Sequence, residues 1–405
     1  MSRSVHPVAR QFSRSSVLHP SSIGAKSSRP CVLFPRHPRG SRRLTTTAAA
    51  VVMPPPQRAA SSSSREGRGG GEPKGGEPRP SSSVLLLSPT NEVLLLHRVE
   101  SSSSFASAHV FPGGNLDPFH DGEVPAPDAP GRHQDGPAYR LCALRECFEE
   151  TGILLATRGG ALMDLPVERR DEARKKIHAN EVNFVEWVTS LGGVPDTGGL
   201  VPFTRWITPV GVPTRFTTQM YVYLLPISRR AAPSEMLVPT PDNGVEHTAA
   251  LFAPPQTFLR RAAEHSVILF PPQVYLLHLL AQFLAGGTGS PEEGAPHYAA
   301  QRDKLLSFLR RVPTAETEEG RRDPTSGISW ADKVICPQHM LKRESDGRAV
   351  LGLERPPPEL KDTGRGGDWE RVALVRFGKG GPRDVEIRRR VDVMKEEPAS
   401  GPSKL

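Results

Sequence analysis

The sequence predicts a mixed α/β fold carried between long unstructured flanks. Short, almost wholly apolar runs at 84–87 and 93–96 interleave with segments of helical period at 138–155, 167–190 and 272–284, so strands and helices share one domain. Roughly 230 residues carry this pattern, enough for a sizeable core. Proline and glycine, 42 and 37 of 405 residues, are denser in the flanks than within it, a composition that favours disorder there.

The elements follow in order. Residues 1–80 read as disordered, through Pro54-Pro55-Pro56, the serines at 61–64 and the Gly-rich stretch 67–76. Order is expected from Ser83. The two apolar runs, separated by turn-like Ser88-Pro89-Thr90-Asn91-Glu92, predict a hairpin buried on both faces. Phe111-Pro112-Gly113-Gly114 interrupts the pattern, and the Pro-, Asp- and Gly-rich residues 118–137 predict a loop. Helices are expected over 138–155 and 167–190, the second with Ile177, Phe184, Val185 and Val188 on its apolar side. Strands are expected over 204–208 and 217–225 and ending at 251–252, then helices over 255–263 and 272–284. Beyond residue 316 the composition is charged and Gly/Pro-rich, with strand-like patterns at 328–340, 370–377 and 385–393. The organisation expected is thus a basic segment 1–80, a folded domain 81–315 and a small β extension with a tail over 316–405.

Composition narrows the function classes. The net charge is +8, yet residues 1–80 hold 14 Lys and Arg against Glu66, Glu72 and Glu77, leaving −3 for the rest. The folded part is therefore mildly acidic, and nucleic acid is not the expected partner. No apolar run reaches the roughly 18 residues of a spanning helix, so no membrane span is expected. Cys31, Cys142, Cys147 and Cys336 form no CxxC pair, which argues against a disulfide scaffold or thiolate zinc site. The ends carry two addresses. Ser403-Lys404-Leu405 is a peroxisomal signal, read by an import receptor at the terminus. The Arg- and Ser-rich stretch 1–65, without Asp or Glu, has the composition of a mitochondrial transit peptide, though Pro7, Pro20, Pro30 and Pro35 interrupt an amphipathic helix. The peroxisome is the expected location and the mitochondrion the alternative.

The chemistry is concentrated in Arg145-Glu146-Cys147-Phe148-Glu149-Glu150-Thr151-Gly152-Ile153. On a helix with Glu146 at 0°, Glu149 falls at about 300° and Glu150 at about 40°, so three carboxylates share one arc. Leu141, Leu144 and Phe148 fall on the opposite side. Like charges at i, i+3 and i+4 repel and require compensation. A hard divalent cation supplies it through oxygen ligands; a solvated acidic face partly neutralised by Arg145 is the plain alternative.

The pattern Arg-Glu-x-x-Glu-Glu-x-Gly followed by Ile153, preceded by Phe-Pro-Gly-Gly, resembles the box of the Nudix hydrolases. The resemblance spans about residues 84–285 and implies an α/β/α sandwich with a mixed sheet, here with a helical insertion at 161–200. One departure stands out: Gly114 to Arg145 is 31 positions where the family has about 14, so a loop is inserted inside the box (118–137). The family's intermediate Glu, which holds the box Arg, has no equivalent. His120 stands at its nominal position, and Asp117 and Glu123 are the candidates to replace it. An interrupted box, Arg205-Trp206-Ile207-Thr208-Pro209, Phe270-Pro271-Pro272-Gln273 and the terminal Ser-Lys-Leu together resemble the peroxisomal coenzyme A diphosphatase branch and its fungal relatives.

The resemblance implies water attack on a P–O–P bridge, assisted by Mg2+ or Mn2+. Glu146, Glu149 and Glu150 would be ligands or base, joined by the Gly113 carbonyl, with Arg145 orienting a carboxylate and Glu246 a further acidic group from a later loop. Arg98, Arg205 and Arg215 are candidates for the substrate's phosphates. His109 and His247 read as structural. The implied substrate is coenzyme A or acyl-CoA, split to 3′,5′-ADP and a 4′-phosphopantetheine derivative. The alternatives are NADH, ADP-ribose or another nucleoside diphosphate derivative, or, in a different class, a catalytically weak nucleotide- or RNA-binding module. The complete Glu cluster speaks against the last.

Overall fold

A computed structural model describes residues 76–98, 107–227, 239, 247–284, 291–378 and 380–397. The basic N-terminal segment 1–75, Glu246 and the C-terminal Ser403-Lys404-Leu405 lie outside the described residues.

The first two apolar runs form the expected hairpin, β1 (Arg79–Leu87) and β2 (Val93–Arg98), with Leu87 opposite Val93. β1 begins at Arg79 rather than Ser83, because Ser81, Ser82 and Ser83 pair with a later Gly-Gly strand. Asn91 makes the turn at a φ of 61°, a conformation Asn tolerates. Its side chain donates to Tyr298 O at 3.0 Å and Gln301 Oε1 at 2.9 Å, tying the turn to a helix two hundred residues on.

Two short strands, β3 (His109–Val110) and β4 (Gly113–Asn115), lead to a one-turn helix α1 (Pro118–Asp121) inside the segment expected to be loop. The box helix α2 is Pro137–Thr151. It stops before 155 because Gly152 takes a left-handed φ of 73° and its N–H returns to Phe148 O at 2.8 Å. Strands β5 (Ala156–Arg158), β6 (Ala161–Leu162) and β7 (Val194–Pro195) form a small sheet in order β6-β5-β7. Between its strands lie α3 (Val167–His178) and α4 (Phe184–Ser190), where one helix was expected. The break has a local cause: Asn180 sits at a φ of 56°, and the Asn183 side chain accepts from Glu186 N–H at 2.9 Å, starting a new helix.

The chain continues through β8 (Val201–Ile207), β9 (Phe216–Leu224), β10 (His247–Ala253), α5 (Pro255–Ala263), α6 (Pro271–Leu280) and α7 (Pro291–Arg310). Then come α8 (Glu318–Arg322), β11 (Val334–Ile335), β12 (Gln338–Lys342), β13 (Ala349–Leu353), β14 (Asp368–Gly378), β15 (Gly381–Arg389) and α9 (Arg390–Glu396). The strand expected over 385–393 thus ends at Arg389, and its last residues turn into α9.

The main sheet runs β10-β2-β1-β9-β8-β11, with β3 on β2 and β4 on β1. It is mixed: β1–β9 and β8–β11 are parallel, and the other pairs are antiparallel. Alternation along β1 separates two cores. Val84 and Leu86 pack with Leu144 and Phe148 of α2 and with Ile177 and Phe184 of the insertion. Leu85 and Leu87 pack with Leu276 and Leu279 of α6 and Leu305 and Phe308 of α7. Helices on both faces make an α/β/α sandwich. The last four strands form an antiparallel sheet, β12-β13-β14-β15. One face of it, through Leu351, Leu353, Ala373 and Val375, joins the core of α6. The other face is covered by Val393 of α9.

Candidate active site

The site grows from the contact of β4 with α2. Gly113 lies so close to β1 that a Cβ would stand 2.3 Å from Ser82 O, and its φ of 157° suits glycine. At Gly114 a Cβ would meet the Glu146 carboxylate at 2.4 Å. The Gly-Gly pair thereby lets a strand pass over the first box carboxylate. Gly113 N–H donates to Glu150 Oε2 at 2.9 Å, fixing the third.

Arg145 is the hub of the cluster. Its Nη1 donates to Glu146 Oε1 at 2.8 Å and Glu149 Oε1 at 2.9 Å. Nε and Nη2 donate to the two oxygens of Asp121 at 3.0 and 2.9 Å, and Nη2 also reaches Asn115 O at 3.0 Å. This fork-on-fork pair is almost completely buried, 5% exposed on Arg145 and 0% on Asp121. The partner of the box Arg is therefore Asp121, at the end of α1, and neither of the expected replacements. Asp117 instead caps α1, its Oδ1 accepting from Phe119 N–H at 2.8 Å, while Glu123 is exposed. His120, at the nominal position, is a strut. Its Nδ1 accepts from Phe184 N–H at 3.1 Å, which leaves Nε2 to donate to Asn180 Oδ1 at 2.7 Å.

The acidic side of α2 does not face open solvent. It borders a cavity of about 1020 Å³, and α3 of the insertion closes over it. Arg174 Nε donates to Glu149 O at 3.0 Å, and His178 Nδ1 lies 3.1 Å from Glu149 Oε2. Burial pushes the Glu146 carboxyl up to about 7; Arg145 opposes that rise and the like charge of Glu149 adds to it. Arg145 is held even more firmly protonated than usual, the carboxylates outweighing its own burial.

The donor set suits a hard divalent cation. It consists of carboxylate oxygens, and burial raises the cost of ionising the one on Glu146. A buried Ser82 hydroxyl on the same cavity wall has no hydrogen-bond partner among the described residues. As they stand, Glu146 and Glu149 turn to Arg145 and Glu150 to Gly113 N–H, and among the described residues no three acidic, His or Cys side chains converge on one point.

The other expected site residues separate. Arg98 lines the cavity. Arg205 does not: it is fully buried, its guanidinium 4.4 Å over the Tyr139 ring, donating to Gln134 O at 2.7 Å and Gln219 Oε1 at 2.9 Å. Arg215, 3% exposed, is paired with Glu359 and donates to Thr208 O at 2.9 Å. Both hold strands β8 and β9 to their surroundings rather than facing the cavity. The His109 ring lies tilted beside that of His97, centroids 4.8 Å apart, and is driven down to about 4 by burial, then by His97 and Arg261. Residues not anticipated are Asp121 and, on the cavity's α3 side, Arg174, Lys175 and His178. The basic run Arg169-Arg170 and Arg174-Lys175-Lys176, following so soon after an acidic helix, was the available signal.

This sandwich and box helix define the class: the chain carries a Nudix domain. Residues 131–280 match the family model described as the NUDT19 Nudix domain. Relatives named acyl-coenzyme A diphosphatase NUDT19 are 29% identical over 240 residues in Gallus gallus and 26% over 236 residues in Homo sapiens, each alignment covering 47% of this chain. The chain spans 61% and 60% of those relatives' lengths. A Nudix hydrolase structure from Alicyclobacillus acidocaldarius aligns with 51% of this chain and 91% of its own, at 24% identity and a TM-score of 0.40.

Proposed function

We propose that the chain is a metal-dependent diphosphatase that cleaves coenzyme A or acyl-CoA to 3′,5′-ADP and 4′-phosphopantetheine or its acylated form. The observation that carries this reading is the Glu146–Glu149–Glu150 cluster, gathered around Arg145 on the wall of a large cavity. The names of the chicken and human relatives support the substrate class.

Glu146, Glu149 and Glu150, with the Gly113 carbonyl, are the residues to hold Mg2+ or Mn2+. When bound, such an ion polarises the diphosphate and makes water a better nucleophile. The protein's own contribution is positional. Arg145, anchored by Asp121, sets the direction of Glu146 and Glu149. Arg98, Arg174 and Lys175 place cationic side chains, and His178 an imidazole, on the same cavity, suited to the diphosphate and the 3′-phosphate of coenzyme A. Arg205 and Arg215 have no place in this reading. Glu246, next before β10 in the sequence, is assigned as a further carboxylate. The terminal Ser403-Lys404-Leu405 directs the chain through its import receptor to the peroxisome, where acyl-CoA is abundant.

The test is product analysis by mass spectrometry. The full chain is incubated with Mg2+ or Mn2+ and a competing mixture of CoA, acetyl-CoA, NADH and ADP-ribose. Appearance of 3′,5′-ADP is expected. AMP from NADH or ADP-ribose alone would keep the diphosphate chemistry and reject the substrate. No product with either ion would overturn the enzyme reading.

A further inference from the structure

The cavity that carries the box carboxylates has a second, apolar character. Trp206 of β8, Val212 from the β8–β9 loop, Phe216 of β9 and Phe270 before α6 line it together with Leu351 and Phe377. The last two belong to β13 and β14 of the C-terminal sheet, well beyond residue 280 where the family match ends. Two of these side chains are left in solvent although both are large and apolar: Phe377 is 63% and Val212 40% exposed. Exposed apolar groups converging from distant segments on one cavity mark a binding surface. Beside them, Gln273 on the first turn of α6 keeps a buried Oε1 without a donor among the described residues. A buried amide oxygen of this kind is satisfied by an N–H from a ligand.

These features describe one half of a substrate. Nicotinamide ribose and ribose are short and rich in hydroxyls. The pantetheine arm of an acyl-CoA is long, carries amide N–H groups and ends in a hydrocarbon chain. The cavity, at about 1020 Å³, lies at the upper end of ligand pockets, roughly 300–1,000 Å³. We propose that the apolar side of the cavity is the subsite for the acyl-pantetheine arm, walled by the C-terminal sheet through Leu351 and Phe377, with Gln273 Oε1 accepting from an arm amide. It makes the chain select longer acyl groups over free CoA. This rests on the diphosphatase reading above.

The test compares kcat/KM for CoA, acetyl-CoA, hexanoyl-CoA and lauroyl-CoA in the full chain and in its Phe377→Asp and Val212→Asp variants. Each fully buried methylene is worth about fourfold, so the wild-type value is expected to rise at least about tenfold along the series. In both variants the lauroyl-CoA to CoA ratio is expected to fall by about tenfold. Because the ratio is taken within each variant, loss of folded protein cancels. A flat wild-type series, or an undiminished ratio in both variants, would overturn the subsite. Titration of lauroyl-CoA against CoA without metal, followed by tryptophan fluorescence, separates the two readings. If no CoA substrate is cleaved but lauroyl-CoA binds at least about tenfold tighter and Phe377→Asp removes the gain, the diphosphatase reading fails and the subsite stands. Equal binding overturns the subsite whatever the activity.

Discussion

At the scale of single residues, the site is an arrangement of like charges that would repel without Arg145 between them. Two box carboxylates share its Nη1, and Asp121 grips the other side of the guanidinium in a buried position. Replacing Glu146 or Glu150 by Gln keeps size and most hydrogen bonds but removes the charge a cation needs. Turnover is expected to fall by roughly 10²-fold or more in each, with the native circular dichroism spectrum retained. Full activity in both variants would remove them from the site. Asp121→Asn leaves a buried guanidinium with one charge partner fewer. It is expected to destabilise the chain by about 3–5 kcal/mol in chemical denaturation. It should also lower kcat about 10–100-fold in the fraction that remains folded, as the loss of a group supporting metal ligands does elsewhere. Asp117→Ala, which removes the cap of a one-turn helix, should cost about 1 kcal/mol and spare Arg145.

At the scale of elements, the insertion between β5 and β7 turns an acidic helix face into a closed site. α3 brings its basic side chains over Glu149, and the strut from His120 to Asn180 and Phe184 locks α1 to the α3–α4 pair. The inserted box loop and the helical insertion thus support each other, and Asp121 is delivered by the former under cover of the latter. Lys175 is exposed and lines the cavity, so its charge can be reversed without loss of packing. If it meets the 3′-phosphate, Lys175→Glu raises KM for CoA about tenfold and leaves KM for dephospho-CoA, which lacks that phosphate, nearly unchanged. Equal effects on both substrates would assign Lys175 to the diphosphate or to neither.

At the scale of the whole molecule, the C-terminal strands are part of the folded body. β11 pairs with β8, Trp330 is fully buried against Phe203 and Phe308, and Leu353 and Val375 enter the core of α6. Loss of several such side chains at once removes more than the roughly 5–15 kcal/mol by which domains are stable. A chain ending at residue 315 is therefore expected to show no cooperative thermal transition; a normal one would make the C-terminal sheet an independent unit. Localisation is also a property of the whole chain. Deletion of Ser403 to Leu405 is expected to leave turnover intact and move the protein out of peroxisomes. Unchanged peroxisomal staining would sink that signal, and mitochondrial staining of the intact chain would transfer the address to the Arg- and Ser-rich N-terminus.

What the sequence determined by itself is local. The box helix was legible because three glutamates and the apolar residues opposite them repeat at the helical period, and the hairpin because two apolar runs flank a turn. Gly152 as a helix stop follows from its lack of a Cβ. Which cations face the cavity was not legible. Arg205 and Arg215 have the right type and neighbourhood in sequence, yet Tyr139, Gln134 and Glu359, contributed from elsewhere in the chain, draw them inward. Asp121 stood unremarked in a Pro- and Gly-rich loop, and Phe377 in a segment that read as an appendage. Both gain their place only when contacts far apart in sequence close. Periodicity fixes how side chains are disposed around one helix or strand, whereas burial and pairing depend on what the rest of the chain brings against it, and that was decided by the tertiary structure.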